Sequence, residues 1–231
     1  MLVEIWSDIA CPWCYIGKRR LETALAGFGH RDEVEVVWHS FQLDPNAPQQ
    51  PTQTVGEMLS KKYGVSAADA AQMVARVEGL AAEEGMSWHH ADSLHVNTLD
   101  AHRLLHLARA EGRQDALKES LLAAYFGDAA DVGDPDVLTR IATGVGLDEA
   151  RVREVLGSRE YADEVEADIA QARAYGATGV PFYVVDEKYG ISGAQPVEVF
   201  AQVLDKAWGD SHLTLVGGTA DGECGPDGCA I

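Results

Sequence analysis

The N-terminal part of the chain contains two strand-like patterns separated by a helix-like one. Residues 2–6 (LVEIW) alternate apolar side chains with Glu4, and residues 34–43 (VEVVWHSFQL) are also rich in strand-forming residues, so both are predicted to be strands. Between them, residues 12–29 carry apolar side chains at helical spacing and end in glycines, which predicts a helix. The N-terminal part is therefore expected to fold in the order βαβ.

The pattern then becomes helical for roughly half the chain before strands return. Residues 54–175 are rich in alanine and leucine at helical spacing. Residues 181–193 predict two short strands around a turn, and residues 196–209 predict an amphipathic helix. Helix starts within the long helical stretch are predicted from capping residues: Ser66 with Asp69, Asn97 with Asp100, and Asp134 followed by Pro135.

Without the helical stretch, the remaining elements have the order βαβ-ββα of a compact thioredoxin-like fold. We therefore predict an α/β protein in which a large all-helical domain is inserted between the two halves of a thioredoxin-like domain. A polar loop with three prolines, DPNAPQQPTQ, is a plausible first boundary. The predicted parts are a first half (1–45), the inserted helical domain (46–176), a second half (177–209) and a flexible, acidic, glycine-rich tail (210–231).

Composition restricts the partners and the compartment. The 231 residues include 37 acidic and 18 basic side chains, giving a formal net charge of -19. Such a surface repels phosphate backbones and anionic lipids, so neither nucleic acid nor a membrane is expected as a partner. The start, MLVEIWSD, lacks the basic and long apolar regions of a signal peptide, so we expect a cytoplasmic protein. The oligomeric state stays open.

Two of the four cysteines form a C-x-x-C motif, Cys11-Pro12-Trp13-Cys14, at the predicted junction of strand and helix. Unpaired backbone N–H groups at a helix start stabilise a thiolate, so Cys11 is expected to have a lowered pKa and to act as the nucleophile. Cys14 is close enough to attack a mixed disulfide and release the substrate. Trp13 is expected to form an apolar rim beside the sulfur.

The other two cysteines, Cys224 and Cys229, lie in the tail and allow three interpretations. Together with Cys11 and Cys14 they are enough to ligate zinc, although the Pro-Trp insert is unusual for a zinc knuckle. The intervening GPDG favours a turn, so a disulfide between them is sterically easy. Such a disulfide is either idle or an auxiliary redox pair that exchanges with Cys11 and Cys14. We expect the redox function, with no metal.

Four segments, SDIACPWCYIG, NTLDAHRLLHLA, GATGVPFYVV and YGISGAQP, resemble the FrnE branch of the DsbA-like thioredoxin-fold oxidoreductases. The resemblance runs in order from residue 2 to about 208. It implies a protein thiol-disulfide oxidoreductase that acts on disulfide- or thiol-containing proteins or small molecules. It also implies that Cys11 attacks, that Cys14 resolves, and that Pro181 follows a cis peptide bond beside the thiols, where Val180 presents its backbone to substrate.

Further residues are candidates for substrate binding, with structural alternatives. The resemblance extends to Asn97, His102 and Arg103, which either line a cleft between the two domains or fix the packing of their helix. His102 and His106 have the spacing of a two-histidine metal site, but a packing role is favoured. His39 either tunes Cys11 or caps its strand. The candidate substrate-binding residues are Pro12, Trp13, Val180, His102 and Asn97.

Two features qualify the resemblance. Thioredoxin and DsbA usually have a buried acid six residues before the first cysteine, and here that position is Ile5, while Glu4 is expected on the opposite face of the strand. The neighbouring hydroxychromene carboxylate isomerases and kappa-class transferases share the architecture, use glutathione as a cosubstrate and usually have serine where Cys11 stands. With two cysteines we favour dithiol exchange without a bound cofactor, and glutathione is the alternative cosubstrate.

Overall fold

The computed structural model describes residues 1–211, which form four strands and nine α-helices within that range. The auxiliary pair Cys224 and Cys229 lies outside the described residues, so its role stays a prediction. The strands are β1 (Leu2–Ser7), β2 (Glu35–Ser40), β3 (Phe182–Val185) and β4 (Tyr189–Ser192). The helices are α1 (Pro12–Gly27), α2 (Val55–Tyr63), α3 (Ala67–Glu83), α4 (Leu99–Ala110), α5 (Gln114–Gly127), α6 (Pro135–Gly144), α7 (Glu149–Leu156), α8 (Ala162–Ala174) and α9 (Val197–Ser211).

The strands form one mixed sheet in the order β2-β1-β3-β4. β1 is parallel to β2, and α1 provides the crossover that a parallel pair requires. β3 is antiparallel to both β1 and β4. Helices α2 to α8 lie between β2 and β3 in the chain, so the predicted thioredoxin-like fold with an inserted helical region is confirmed.

Side chains of β1 alternate between two buried faces of the sheet. Val3 and Ile5 pack with residues of α1 and α9, among them Leu21 and Phe200. Trp6 packs on the other face, in the cluster that includes Ala172 of α8 and Val184 of β3. Helices therefore cover both faces of the sheet, and the carboxyl end of β1 leads directly into α1.

The inserted helices have a core of their own, and α1 contributes to it. Leu104 of α4 and Leu121 of α5 are fully buried in this core. Tyr15 and Ile16 of α1 belong to the same cluster, although other residues of α1 pack against the sheet. The helix that begins at the C-x-x-C motif thus contacts both the sheet and the insertion. Among residues 1–211, no helix is long and apolar enough to cross a membrane.

Two of the three predicted helix starts are confirmed. Ser66 and Asp69 form a reciprocal capping box, and the Asp134 carboxylate accepts hydrogen bonds from backbone N–H groups of the helix that begins at Pro135. The predicted box of Asn97 with Asp100 is wrong. The helix begins at Leu99, whose N–H donates to Asn97 Oδ1 (2.9 Å), while Asp100 pairs with Arg103 (2.7 Å).

Candidate active site

The two cysteines of the motif lie at the start of α1. Cys11 is the N-cap residue with an extended backbone, and Pro12 occupies the first turn, where its missing N–H costs nothing. The Cys14 backbone N–H donates to the Cys11 carbonyl oxygen (3.0 Å). Both thiols are free and buried, with 2% of Cys11 and none of Cys14 exposed.

The predicted cis peptide bond between Val180 and Pro181 is present, and it lies beside the thiols. Cys11 Sγ donates to the Val180 carbonyl oxygen at 3.5 Å. Pro181 lies close to Gly17 of α1. A Cβ atom added at Gly17 would lie 3.2 Å from Pro181 Cγ and would collide with the Tyr183 hydroxyl. The absence of a side chain at Gly17 therefore lets the segment before β3 pack against the first turns of α1.

Replacing Gly17 with alanine is expected to destabilise the protein by about 1–3 kcal/mol, because the new methyl group must displace buried Tyr183. The same substitution at Gly27 has no heavy atom within 4 Å of the added Cβ and is the matched control. Alanine there is expected to be neutral or to stabilise the helix by up to about 1 kcal/mol. Urea unfolding of both variants measures the difference, and equal effects would contradict the packing argument.

Several polar groups surround the Cys14 sulfur. Burial raises the pKa of Cys14, but the Cys11 thiol, the Lys118 charge and the Asp8 backbone N–H lower it overall. The hydrogen bond to Cys14 raises the pKa of Cys11 well above its usual value, and burial adds to this effect. The pair thus loses its first proton easily and retains the second.

This order of ionisation differs from the sequence-based prediction of a lowered pKa for Cys11. The prediction was based on the helix N-terminus alone. One N–H group there, that of Cys14, does lower the pKa of Cys11, but the other effects outweigh it. It did not consider Lys118, which comes from α5 of the inserted region and favours the anion at Cys14. The two thiols therefore ionise as a coupled pair, and the Lys118 charge favours an anion on that pair.

Asp8 and His102 form a buried pair close to the C-x-x-C motif. Asp8 Oδ1 accepts from the Ile9 N–H (2.7 Å) and lies 3.2 Å from His102 Nε2, while Asp8 Oδ2 accepts from the Leu43 N–H (2.8 Å). Burial raises the pKa of Asp8, but these hydrogen bonds outweigh it and lower the pKa. His102 is fully buried.

A cavity of about 710 Å³ opens next to Cys11, between the motif and helices α2 and α3. Pro12, Trp13 and Val180, three of the candidate substrate-binding residues, line it. The walls are largely apolar, and the charged lining residues include Lys61, Lys62 and Asp44. Exposed large apolar residues concentrate there. Of five such residues in the described chain, four line the cavity, namely Trp13, Leu43, Tyr63 and Met73, and Tyr175 does not.

Asn97 and His102 are not in the cavity wall, so the structure favours the packing alternative for both. The Asn97 side-chain amide donates to the carbonyl oxygens of Pro45 (3.0 Å) and Ala47 (3.2 Å) and holds the loop that follows β2. Arg103 is buried and binds backbone oxygens near the end of α7, among them the Ser158 carbonyl (2.8 Å).

The remaining candidate histidines belong to a separate network on the α8 face of the sheet. His39 Nδ1 and His106 Nε2 lie 2.7 Å and 3.1 Å from the two carboxylate oxygens of Asp168, and His39 Nε2 lies 3.0 Å from Glu4. His39 also stacks on Trp6. His102 and His106 thus bind different carboxylates, and within residues 1–211 no group of His, Cys, Asp and Glu is arranged to hold a metal ion.

Comparison with known proteins agrees with this geometry. The family model described as a DSBA-like thioredoxin domain matches residues 2–205. The chain belongs to this family. Among DsbA-like structures, a probable DsbA oxidoreductase from Streptomyces coelicolor is 50% identical, with a TM-score of 0.87 over 100% of this chain and 99% of that chain. The FrnE branch stays a prediction.

Two more distant similarities also extend over most of the chain. The Bacillus subtilis protein YwbO, itself uncharacterised, is 28% identical over 204 residues, which are 87% of this chain and 94% of YwbO. A 2-hydroxychromene-2-carboxylate isomerase is 12% identical, with a TM-score of 0.67 over 91% of this chain and 98% of that chain. The likeness to the isomerase shows a common fold alone.

The predicted departure from the usual DsbA-like pattern has a structural counterpart. Ile5 is fully buried among apolar residues of α1 and α9, and Glu4 points to the opposite face, where it contacts His39. Lys118 is the fully buried charged side chain near Cys14 that the sequence analysis missed. The only local signal is one lysine within an otherwise apolar stripe of LKESLLAAYF, and such a residue is usually exposed.

Proposed function

We propose that the protein is a thiol-disulfide oxidoreductase that exchanges disulfides through Cys11 and Cys14. The observation that carries the proposal is the position of Cys11, which caps α1, contacts the Val180 carbonyl and forms part of the cavity wall. Membership of the DsbA-like family supports it. We also propose a cytoplasmic location, in agreement with the scarcity of cysteines, because a reducing compartment keeps catalytic dithiols free.

Exchange in the reducing direction begins with proton transfer within the pair. The Cys11 proton moves along its hydrogen bond to Cys14, and the Cys11 thiolate attacks one sulfur of the substrate disulfide. The first substrate thiolate leaves and takes a proton from solvent. Cys14 then loses its proton and attacks Cys11 Sγ, which forms the Cys11–Cys14 disulfide and releases the second substrate thiol. Two electrons pass to the substrate, and oxidation of a substrate dithiol is the reverse.

The cavity supports a substrate whose disulfide has apolar neighbours. Four exposed apolar side chains are among its lining residues, and Lys61 and Lys62, which line it together with Asp8 and Asp44, favour an anionic group. The Val180 backbone lies beside Cys11, so an extended peptide is positioned to hydrogen-bond with it. Glutathione, a small thiol with two carboxylates, is the alternative cosubstrate that we propose for the same cavity.

Insulin reduction and glutathione turnover test the function. The purified protein is expected to accelerate insulin precipitation in the presence of dithiothreitol and to form a Cys11–Cys14 disulfide with oxidised glutathione. The disulfide is identified by mass spectrometry of peptides. Isomerase or glutathione-transferase activity without disulfide exchange would instead support the alternative function. Absence of both exchange reactions would contradict the proposal.

Removal of one apolar side chain from the opening is expected to change substrate preference. The Tyr63→Ser variant should raise KM about fivefold to tenfold for a peptide disulfide flanked by apolar residues, because about 1 kcal/mol of apolar contact is lost. Its kcat should be unchanged. Tyr175→Ser is the matched control, since Tyr175 is also exposed but lies away from the cavity. Equal KM values for Tyr63→Ser and Tyr175→Ser would place substrate elsewhere.

A further inference from the structure

We propose that Lys61 is a specificity-determining residue of the cavity beside Cys11, where it binds the carboxylate of an acidic residue near the disulfide of a peptide substrate. This inference rests on the proposed function, because the cavity receives a disulfide only if Cys11 exchanges disulfides. Lys61 is exposed in the last turn of α2 and lines the same cavity as Cys11.

A chain of side-chain hydrogen bonds holds Lys61. Lys61 Nζ donates to Gln53 Oε1 (2.7 Å), and Gln53 Nε2 lies 3.3 Å from His95 Nδ1. His95 Nε2 lies 3.0 Å from Asp44 Oδ2. All four residues line the cavity, so its largely apolar wall contains one continuous polar chain from a cation to a carboxylate.

The donors and acceptors of this chain fit in one direction. An ammonium group can only donate, so Gln53 presents its carbonyl oxygen to Lys61 and its NH₂ group to His95. His95 Nδ1 then accepts, and the proton of the neutral ring is on Nε2, which donates to Asp44. Gln53 is the only hydrogen-bond partner of Lys61 within residues 1–211. Two of the three ammonium N–H groups are therefore left for a ligand.

The backbone next to the chain is also held by hydrogen bonds. The His95 N–H donates to the Gln53 carbonyl oxygen (3.1 Å), and the Val55 N–H donates to the Ser93 carbonyl oxygen (2.9 Å). Because Val55 is the first residue of α2, these bonds fix the helix that carries Lys61 against the segment that carries His95. A cation that is already positioned loses less side-chain entropy on binding a carboxylate than a freely rotating lysine does.

The surrounding charges leave Lys61 available to a negative ligand. Asp44 and Asp8, the carboxylates of the cavity wall, each contact a histidine. Lys62 also lines the cavity and adds positive charge. The formal net charge of the whole chain is -19, so an acidic group is repelled by most of the surface and attracted to these lysines.

The size and lining of the cavity favour a peptide as the source of the carboxylate. Its volume of about 710 Å³ accommodates several side chains, and exposed Trp13, Tyr63 and Met73 provide apolar contacts. The Val180 backbone lies beside Cys11, where an extended chain can pair with it. A peptide with one acidic and several apolar residues around its disulfide complements both features.

The test uses disulfide-bonded peptides that differ at one position near a cysteine, where the residue is glutamate, glutamine or lysine. Each position flanking the cysteines is varied in turn, and initial rates of reduction in dithiothreitol give KM. At one position or more, the wild type should have a KM about fivefold lower for glutamate than for its neutral isostere glutamine. Added salt should reduce this difference, because it screens a charge interaction and not an apolar contact.

Substitution of Lys61 should remove and then reverse the preference. Lys61→Met should have equal KM values for the glutamate and glutamine peptides, and Lys61→Glu should prefer the lysine peptide. Lys188→Met is the matched control, because Lys188 is also exposed but lies in the turn between β3 and β4, away from the cavity. It should keep the wild-type preference. Gln53→Leu should weaken the preference, because Lys61 then loses the acceptor that positions it.

The outcomes separate this inference from the proposed function. If the wild type reduces the peptides with equal KM at every position, or if Lys61→Met keeps the preference, the inference is overturned while disulfide exchange stands. An effect of Lys61→Met confined to oxidised glutathione would overturn the assignment to a peptide. If the wild type reduces none of the disulfides, the proposed function fails first.

Discussion

Replacement of Cys11 with serine is expected to abolish insulin reduction, with a loss on the order of 10³-fold or more. A serine hydroxyl is not ionised at neutral pH and is not regenerated by thiol exchange, so no mixed disulfide forms. Cys11 is the thiol on the cavity wall, whereas Cys14 is completely buried behind it. Steady-state insulin reduction by the wild type and by Cys11→Ser measures the effect.

Cys14→Ser is the informative partner of that variant. It retains the attacking thiol but lacks the resolving thiol, so a mixed disulfide between Cys11 and substrate should accumulate. Mass spectrometry after incubation with oxidised glutathione should detect this adduct in Cys14→Ser and not in Cys11→Ser. Adduct formation at Cys14 in the Cys11→Ser variant at a comparable rate would reverse the two assigned roles.

Features that depend on near neighbours in sequence could be predicted. Alternation within residues 2–6 indicated β1, and the helical spacing after Pro12 indicated α1, because side-chain periodicity follows directly from backbone geometry. The second strand ends at Ser40 and not at residue 43, since the Leu43 N–H donates to Asp8 and not to a neighbouring strand. Local pattern does not show where a tertiary contact ends a strand.

Features that depend on contacts across the chain were missed. Lys118 follows Cys14 by about a hundred positions, and no local property of α5 shows that its lysine faces a thiol. His39 lies in a predicted strand, but the sequence does not show which face of the sheet its side chain occupies, and that face decides whether it can reach Cys11. The register places it beside Trp6 on the α8 face, where it meets Asp168 and not the cysteines.

The inserted helices thereby supply part of the surroundings of the C-x-x-C motif. α4 contributes His102, which holds Asp8 beneath the motif, and α5 contributes Lys118. Tyr15 of α1 is in turn buried in the core of the insertion, where it stacks on Trp88. The start of α1 is therefore shaped by both parts of the fold, and changes within the insertion are expected to alter the properties of the thiols.

Loss of the Asp168 carboxylate is expected to have the largest effect on stability. It binds His39, His106 and the Ser40 backbone N–H, which donates at 2.7 Å, and it connects α8 and α4 to the edge strand β2. Asp168→Ala leaves these buried groups without their acceptor, so unfolding free energy should fall by about 3–5 kcal/mol. Glu166, which is exposed on the same helix, provides the control. Glu166→Ala should change the unfolding free energy by less than about 0.5 kcal/mol.

The pH dependence identifies the charge as the cause. Burial raises the pKa of Asp168, but hydrogen bonds from His106, His39 and Ser40 lower it far below its usual value. Its contribution is therefore complete above the unfolded pKa of about 3.9 and disappears as pH falls from there through the lowered folded value. In urea unfolding, the difference in unfolding free energy between wild type and Asp168→Ala should be constant from about pH 7 to about pH 5 and should narrow below about pH 4. A gap that persists unchanged in acid would mean that Asp168 stabilises the fold by packing and not by its charge.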